Sequence, residues 1–434
     1  MSDLSADVLI VGGGPGGAAA GIEAARLGLD AIIVDKSRFP RDKCCGDGLT
    51  TGALRHLDQL GFDPAQVPSW RVIGDVFVRT PAGREALFPL PCPERDGDGV
   101  FAAVARRREF DAALLDLARR SGAEVFERHE LTALSQSDDL VEAAVVGPAG
   151  PVTIGARYLV AADGMWSPTR KLLGIDTGGY RGDWHAFRQY FGNVTGRAGH
   201  DLLVWFEPDL LPGYAWSFPV GDRSANIGFG VLRRPGQSVQ VMKDLWPRIL
   251  ERAHIVEALG PGAEPEASHR AWPIPTRLGR LPFANGRVLF VGDALAAGDP
   301  MTGEGIGQAI ETGRSAIGAI AGSRGAAGGA EGSPGGGSVT ATNATRATPS
   351  AVRDRYEREL EQGMMRDHRL ATALSSVLAF NWGIEAAVSI AGATGWTRRN
   401  FARWLFEDYP RASLATPRRW RRGLFTSPGA FQHR

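Results

Sequence analysis

The sequence predicts an α/β protein with three parts: a parallel-sheet domain, a second domain built on an antiparallel sheet, and a helical C-terminal region. Three observations lead to this prediction. A glycine-rich turn joins an apolar run to a helical pattern near the N-terminus, short aromatic and β-branched runs fill the middle of the chain, and helical periodicity returns after a glycine-rich stretch. A chain of 434 residues is long enough for two domains that share an interface.

The N-terminal part has the pattern of a βαβ unit. An apolar run at 8–11 is followed by Gly12, Gly14 and Gly17 in G-x-G-x-x-G spacing. A helical pattern and a second apolar run come next, and that run ends at Asp35. Such glycines let the backbone approach a pyrophosphate, and the helix N-terminus directs its amides at the phosphates. Because the terminal carboxylate suits a ribose and disfavours a 2′-phosphate, we predict that FAD or NAD, rather than NADP, is tightly bound.

Charge and cysteine content exclude several classes of protein. Lys and Arg total 49 and Asp and Glu total 48, so no overall basic field favours nucleic acid. Cys44, Cys45 and Cys92 are too few for a disulfide framework and lack the paired spacing of a metal site, so we expect reduced thiols and no metal. No basic and apolar leader precedes the first predicted strand, which predicts a cytoplasmic protein.

Two later segments carry candidates for contact with the nucleotide. Cys45, Gly46 and Gly48 follow a cluster of charges, and small residues beside a dinucleotide fold leave room for a ring system. A surface turn is the alternative interpretation. Arg107 lies in the first turn of a predicted helix at 105–120, off its apolar stripe. Since an arginine there opposes the helix dipole, either an anion lies nearby or the side chain is solvated.

Two further strand ends point to the same edge of the parallel sheet. An apolar run at 157–161 leads into Ala-Asp-Gly at 162–164, and a run at 286–291 is followed by Asp293. Glycines then open a helix that runs to about residue 321. This geometry suits a ribityl hydroxyl and a phosphate.

The middle of the chain has the pattern of an antiparallel sheet. A turn at 81–83 predicts a hairpin within 72–90, and short aromatic runs separated by turns occupy 178–272. An aromatic sheet face makes a suitable cavity wall, and packing in a core is the alternative for each ring. The candidate rings are Tyr190, Trp205, Tyr214, Trp216 and Phe218.

These patterns divide the chain into four regions. A stretch rich in Gly, Ala, Ser and Thr, without hydrophobic periodicity, predicts a flexible linker. The predicted regions are a discontinuous nucleotide-binding domain (1–70, 101–177 and 273–321), an antiparallel-sheet substrate domain (71–100 and 178–272), the linker (322–350) and a C-terminal helical region (351–434).

The C-terminal tail is basic and aromatic, and the segment before it is apolar. From Trp396 onward the chain has nine arginines against Glu407 and Asp408. Such a tail suits the headgroup layer of an anionic membrane at the inner face, and folding back onto the domain is the alternative. The apolar segment at 374–395 carries polar residues and is expected to lie on a membrane rather than to span it. The arginines are Arg398, Arg399, Arg403, Arg411, Arg418, Arg419, Arg421, Arg422 and Arg434.

Four motifs together carry a family resemblance. They are VGGGPGG at 11–17, DKCCGDGL at 42–49, YAWSFP at 214–219 and GDALAAGDPMTGEGI at 292–306. The third is followed by Gly-Phe-Gly at 228–230, which gives a Y-x-W-x-F-P…G-x-G pattern. In these motifs the chain resembles the geranylgeranyl reductase family, flavoproteins of the para-hydroxybenzoate-hydroxylase-like fold that saturate isoprenoid double bonds. The resemblance implies a Rossmann-like FAD-binding domain.

The resemblance also implies roles at matching positions. Arg107 would contact the phosphate or ribityl region of FAD, Leu131 would lie near the adenine by its backbone, and Cys45 rather than Cys44 is the motif cysteine. The residues implied to bind FAD are Gly12, Gly14, Gly16, Gly17, Asp35, Cys45, Gly46, Gly48, Arg107, Leu131, Asp293, Gly305 and Ile306. Those predicted to bind substrate are Tyr190, Tyr214, Trp216 and Phe218.

The implied reaction transfers a hydride from reduced FAD to an isoprenoid double bond. A proton must reach the neighbouring carbon, and the Cys45 thiol or water is the expected donor. The rings of Tyr214 and Trp216 would stabilise the positive charge that develops on the more substituted carbon, which receives the hydride. The isoprenoid could belong to menaquinone, a phospholipid, a polyprenyl phosphate or a chlorophyll precursor. Because no second G-x-G-x-x-G occurs, NADPH or a ferredoxin protein would supply the electrons.

Three other functions stay open on the sequence. The Ala-Asp-Gly and Gly-Asp strand ends belong to the whole fold class, which includes hydroxylases that use O₂. Flavin halogenases are less favoured because they carry W-x-W-x-I-P where this chain has YAWSFP. A non-enzymatic assembly or lipid-binding protein would bind FAD without turning it over.

Overall fold

The chain folds into three sheets surrounded by helices, and the computed structural model describes residues 2–233, 239–325, 348–413 and 425–432. The strands are β1 (Leu4–Val11), β2 (Ala31–Asp35), β3 (Gly48–Leu49), β4 (Arg71–Val72), β5 (Asp75–Arg79), β6 (Glu85–Pro89), β7 (Ala103–Val104), β8 (Glu124–Glu127), β9 (Glu130–Gln136), β10 (Val141–Gly147), β11 (Gly150–Ala161), β12 (Trp184–Gly192), β13 (Leu202–Trp205), β14 (Tyr214–Pro219), β15 (Ala225–Leu232), β16 (Glu264–Pro265), β17 (Arg270–Ile274), β18 (Ala284–Asn285) and β19 (Val288–Phe290). The helices are α1 (Pro15–Arg26), α2 (Thr51–Gln59), α3 (Pro93–Asp96), α4 (Arg107–Ser121), α5 (Pro168–Leu172), α6 (Val239–Leu250), α7 (Ala253–Leu259), α8 (Ile306–Gly325), α9 (Pro349–Gln362), α10 (Met364–Leu378), α11 (Asn381–Ala391) and α12 (Gly395–Leu405).

The first sheet confirms the predicted βαβ unit. Its parallel strands run in the order β19, β11, β1, β2 and β8, and β10 and β9 continue it as antiparallel strands beside β11. The apolar run of β1 is fully buried from Val8 to Ile10, and α1 packs against both α4 and α8. Because β1, β2, β11 and β19 point the same way, the loops that follow them converge at one edge of the sheet.

The second sheet has the order β16, β12, β15, β14, β13, β5 and β6, with β17 beside β12. The prediction of an antiparallel sheet is wrong at one pair, because β13 runs parallel to β5 with Leu202 opposite Val76. The β5–β6 hairpin reaches the sheet from a distant part of the chain, so no tight turn fixes its direction relative to β13. The other described pairs in this sheet are antiparallel.

Two helices, α6 and α7, lie within the region that the sequence predicted to be only sheet. Trp246 of α6 stacks against Phe229 of β15 with ring centroids 5.9 Å apart, and Met242 and Ile249 pack in the same buried cluster. Pro247 lies inside α6, and a proline within a segment argues against a helix there, although Met242, Trp246 and Ile249 recur at helical spacing. These helices cover one face of the second sheet and leave the other face free to form a cavity.

The C-terminal helices bridge the two large sheets. The Tyr356 hydroxyl of α9 donates a hydrogen bond to the carbonyl of Phe290 in the first sheet. Phe401 of α12 packs on Phe88 of β6 in the second sheet, with ring centroids 4.9 Å apart. Among the described residues no single helix is long and apolar enough to cross a bilayer. Helices α10 and α11 reach that length and hydropathy only when they are taken together, and they are bent by 115° at their junction.

Two sequence predictions fall partly outside the described residues. The ends of the predicted linker are helical, because α8 continues to Gly325 and α9 begins at Pro349, and residues 326–347 are not described. Of the tail, Arg418, Arg419, Arg421, Arg422 and Arg434 are not described either.

Two arginines of the basic tail fold back onto the protein. Arg411 is 1% exposed and its guanidinium lies 2.6 Å from the carboxylate of Asp299. Arg403 forms a buried ion pair with Asp408. For these two arginines the expectation of contact with lipid headgroups is wrong, since each charge is satisfied inside the protein.

We expect Arg411→Met to lower the free energy of unfolding by about 3–5 kcal/mol, because it leaves the Asp299 carboxylate buried without its charge partner. Urea denaturation followed by circular dichroism measures this. Arg399→Met is the matched control, since Arg399 forms an exposed pair with Asp96 at 3.7 Å, and it should cost less than about 1 kcal/mol. Equal losses in the two variants would contradict the assignment of Arg411 as a buried structural charge.

Candidate functional site

In the part of the chain that the structure describes, a large cavity lies between the edge of the first sheet, the open face of the second sheet and helices α10 to α12. Its volume is about 1320 Å³, which exceeds the ~300–1,000 Å³ of most ligand pockets. It begins at the loop after β1 and ends among the apolar side chains of the C-terminal helices. The space is therefore large enough for a dinucleotide and a second molecule together.

The glycine loop after β1 forms one end of the cavity. Gly12 has a φ of +107°, and a Cβ atom there would lie 2.4 Å from the carbonyl oxygen of Ala162. A Cβ at Gly17 would lie 1.8 Å from the carbonyl oxygen of Gly12, so the turn excludes larger residues at both positions. At Gly14 an added Cβ would meet only an Arg41 nitrogen, at 3.4 Å, and space remains for a ligand. Gly16 lines the cavity and packs against α8.

Asp35 and Leu131 lie at the same end of the cavity. The Asp35 carboxylate accepts hydrogen bonds from the backbone amides of Gly13 at 2.8 Å and Ser37 at 2.7 Å. Each carboxylate oxygen keeps a lone pair, so Asp35 can still accept a hydrogen bond from a ribose hydroxyl. Leu131 on β9 lines the cavity beside it.

Arg107 is buried, and its charge partner is a protein carboxylate. Its guanidinium donates two hydrogen bonds to Asp111, at 2.7 and 2.8 Å, and Arg41 donates a third to the same carboxylate at 2.9 Å. Although burial alone raises the pKa of Asp111, the charges of Arg107 and Arg41 outweigh it and hold that pKa below its usual value. Of the two alternatives for Arg107, the solvated side chain is wrong, because the residue is 6% exposed. Two cations share one anion here, so the wall of the cavity keeps a positive excess.

The Cys45 segment packs against the aromatic strand β14, and both line the cavity. Added Cβ atoms at Gly46 and at Gly48 would each lie 3.2 Å from the Phe218 ring, so the glycines allow this close approach. Tyr214, Trp216 and Phe218 alternate along β14 and line the cavity in a row, with neighbouring ring centroids 5.9 and 6.1 Å apart. The sequence motifs that contain Cys45 and Trp216 therefore meet at one place.

The loop after β19 closes this part of the cavity. Asp293 lies 3.6 Å from the Lys43 ammonium group, and Gly305 and Ile306 open helix α8. Glu304 accepts hydrogen bonds from the amides of Ile306 and Gly307 and so caps that helix. Burial and the nearby Glu407 carboxylate raise the pKa of Glu304 to about 7. All the predicted residues of this loop line the cavity.

A buried polar network, which the sequence did not reveal, supports the Cys45 segment. The Asp47 carboxylate is fully buried and accepts hydrogen bonds from the Tyr190 hydroxyl at 2.6 Å and the Asn226 amide at 2.8 Å. Asn226 also donates to the carbonyl of Cys45 at 2.9 Å and accepts from the indole of Trp216 at 3.3 Å. Asn226 is a polar residue in an otherwise apolar strand. That contrast was the one feature of the sequence that could have indicated a buried hydrogen-bond network here.

Tyr190 and Trp205 are not part of the cavity wall. The Tyr190 ring lies under the guanidinium groups of Arg188 and Arg106, at 4.1 and 4.6 Å, and its hydroxyl supports Asp47. Trp205 packs in the buried cluster on the other face of the second sheet. Tyr190, which the sequence predicted to bind substrate, therefore lies behind the cavity wall, where Arg188 of β12 and Arg106 before α4 cover its ring.

Burial controls protonation of Cys45 and Asp47. Burial raises the pKa of the Cys45 thiol, and the nearby Arg107 guanidinium only partly offsets this. Burial also raises the pKa of Asp47 to about 6, although Tyr190 and Asn226 stabilise its charged form. At neutral pH the site thus contains a protonated thiol directly beside the aromatic wall.

The comparisons with known proteins agree with this arrangement. A family model described as an FAD binding domain matches residues 5–323. A menaquinone reductase of Mycolicibacterium smegmatis is 32% identical over 329 residues, covering 72% of this chain and 75% of that protein. A digeranylgeranylglycerophospholipid reductase of Methanothrix thermoacetophila is 30% identical over 319 residues, covering 72% of this chain and 77% of that protein.

Solved structures show the same fold. A geranylgeranyl bacteriochlorophyll reductase-like protein from Thermoplasma acidophilum matches with a TM-score of 0.77 at 21% identity, over 96% of this chain and 99% of that one. The flavin-dependent halogenase CmlS matches with a TM-score of 0.65 at 22% identity, over 94% and 70%. At these identities the likeness establishes the fold alone.

The two glycines of the G-x-G motif, Gly228 and Gly230, allow a direct test of how the Trp216 ring packs in the cavity wall. A Cβ at Gly228 would lie 2.3 Å from the Trp216 ring, whereas the nearest atom to a Cβ at Gly230 is 3.8 Å away. We expect Gly228→Ala to lower the free energy of unfolding by about 1–3 kcal/mol, because the added Cβ would also lie 2.5 Å from the backbone carbonyl oxygen of Phe187, and to alter tryptophan fluorescence, because the Trp216 ring must shift. Gly230→Ala, the matched control, should leave both unchanged. Equal effects of the two substitutions in urea denaturation would contradict the packing described.

Proposed function

The chain belongs to the FAD-binding-domain family and, within it, to the geranylgeranyl reductases, and we propose that it uses reduced FAD to saturate double bonds of an isoprenoid chain. The observation that carries this proposal is the continuity of the cavity, which joins the glycine loop of a dinucleotide site to an apolar extension. Cys45 and the β14 aromatic row lie where the two parts meet. A redox group and a hydrocarbon chain would therefore come together at these residues.

The residues of the site fit FAD. The loop at Gly12 and Gly14 leaves room for a pyrophosphate at the start of α1, and the positive excess of Arg41 and Arg107 favours its charge. We propose that Asp35, which lines the cavity at this end, binds the adenosine ribose. We propose that Leu131 borders the adenine, that Gly46 and Gly48 border the flavin ring, and that Asp293, Gly305 and Ile306 bind the ribityl chain and the ring edge.

The extension of the cavity suits an isoprenoid chain. Its walls on α10 to α12 are mainly aliphatic and aromatic, so a flexible hydrocarbon gains from leaving water. We propose a menaquinone side chain or a prenyl lipid as substrate, which agrees with the names of the two relatives. NADPH or a reduced ferredoxin protein is the proposed electron donor. The lining residues there include Leu374, Val377, Ile384, Val388, Trp396 and Phe401.

The protein's part in the chemistry is to hold a proton and stabilise charge. When bound, reduced FAD supplies a hydride. The protonated Cys45 thiol would give its proton to the neighbouring carbon of the double bond, and Arg107 would stabilise the resulting thiolate until solvent reprotonates it. The faces of Tyr214 and Trp216 would stabilise positive charge on the substrate carbon. The aliphatic walls exclude water from the reacting atoms.

We expect Cys45→Ser to retain bound FAD and to lose about 100-fold or more in turnover, because a serine hydroxyl is a much weaker acid than a thiol. Flavin absorbance measures the bound cofactor, and lipid mass spectrometry measures turnover. Cys44→Ser is the matched control, because the Cys44 sulfur lies 3.5 Å from the carbonyl oxygen of Arg270, and its turnover should be unchanged. Unchanged turnover in Cys45→Ser would remove Cys45 from the mechanism.

An anaerobic reaction tests the function itself. The FAD-loaded protein is reduced with dithionite and mixed with menaquinone or with a geranylgeranyl lipid, and flavin reoxidation is followed together with the mass of the lipid. The proposal predicts reoxidation without O₂ and a gain of two hydrogen atoms per saturated bond. Flavin that stays reduced until O₂ is admitted, followed by a gain of one oxygen atom, would show a monooxygenase instead.

A further inference from the structure

The most exposed apolar side chains of the described residues lie together on the C-terminal helices. Among the large apolar residues described, four have the highest exposed fractions: Ile390 with 71%, Trp396 with 65%, Trp382 with 64% and Phe380 with 55%. All four belong to α11, the turn before it or the start of α12. Soluble surfaces rarely group large apolar residues in this way, so the group indicates a contact with an apolar partner. We call these four residues the apolar rim.

The apolar rim is an organised surface rather than a set of scattered side chains. The rings of Phe380 and Trp382 stack with centroids 6.1 Å apart. The indole of Trp396 meets Phe425 edge to face, with centroids 6.2 Å apart. These contacts hold the aromatic faces in place, so a partner gains apolar contact with little loss of side-chain entropy.

The apolar rim is continuous with the cavity. Ile390 and Trp396, together with the neighbouring Val377, line the cavity and are also exposed at the surface. The apolar wall therefore runs without interruption from the aromatic row of β14 to the outside. A hydrocarbon chain that left this opening into water would lose the apolar contact that it has inside.

The charges beside the apolar rim suit a lipid headgroup layer. Arg398 and Arg399 are exposed on the first turns of α12, next to Trp396. Arg398 donates a hydrogen bond to the carbonyl of Gly392, which holds its cation beside the rim. Exposed indole rings flanked by arginine are typical of surfaces that lie in the interface of an anionic membrane.

We propose that the apolar rim docks on a lipid bilayer and that the cavity opens into the membrane there. The docking surface is thus α11 with its flanking turns, and the buried Arg403 and Arg411 take no part in it. The proposed function supplies the purpose of this contact, since a prenyl chain dissolved in the bilayer would enter through the rim. The docking itself is independent of that function.

Vesicle binding tests the proposal. The FAD-loaded full chain is sedimented with vesicles of phosphatidylcholine and phosphatidylglycerol, and the bound fraction is measured. We expect Phe380→Ser/Trp382→Ser to weaken binding at least about tenfold, because neither side chain lines the cavity and both belong to the rim. Val241→Ser/Val256→Ser, which removes two exposed apolar side chains on α6 and α7, is the matched control and should bind like the wild type.

Activity measurements separate this proposal from the proposed function. With a short prenyl substrate in solution the Phe380→Ser/Trp382→Ser variant should turn over like the wild type, and with the same prenyl group in vesicles it should be slower. Wild-type protein that does not bind vesicles, or that instead dimerises through the rim in sedimentation equilibrium, would overturn the docking proposal. Vesicle binding that depends on the rim, without reduction of any prenyl lipid, would leave docking intact and overturn the proposed function.

Discussion

The contact that Asp47, in the Cys45 segment, makes with the second sheet is the constraint on which the site depends. Asp47 follows Gly46 and adopts a φ of +70°, and its fully buried carboxylate lies against the second sheet. There Asn226 and Tyr190 bind it, and Asn226 also reaches Trp216 and the carbonyl of Cys45. One buried amide therefore fixes the position of the motif cysteine relative to the aromatic wall.

The charges around the cavity are arranged so that few of them face its apolar extension. Arg107 and Arg41 share Asp111 at the nucleotide end, and Arg411 pairs with Asp299 behind the loop that precedes α8. Each pair satisfies a charge that burial alone would make costly. The polarity of the cavity therefore falls from the nucleotide end toward the C-terminal helices, which matches a charged cofactor at one end and a hydrocarbon at the other.

Much of the fold could be predicted because its signals are local. The strand, turn and helix at Gly12, the hairpin of β5 and β6, and the strand that contains Trp216 each follow from spacing within a few residues. The pairing of Arg107 with Asp111 has a local signal as well, a four-residue spacing on one helix, although the sequence analysis did not use it. The pairing of Asp47 with Asn226 was not, because 179 residues separate them and neither position has a local pattern that requires the other.

The role of the C-terminal helices could not be predicted from periodicity. The helical pattern of α10 to α12 indicated helices, but not that these would close the cavity opposite the aromatic row of β14. The same limit explains why the basic tail was expected to face a membrane, since the sequence does not show that Asp299 and Asp408 would bury two of its arginines. Long-range packing decides which apolar and charged faces remain exposed.

The central claim is that one cavity holds a flavin and a prenyl chain that meet at Cys45 and Trp216. A crystal structure of the FAD-loaded protein with a short-chain prenyl quinone tests this most directly. We expect prenyl density along α10 to α12 with one double bond beside the Cys45 sulfur and the Trp216 ring. Prenyl density outside this cavity, with nothing bound beside Cys45, would contradict it.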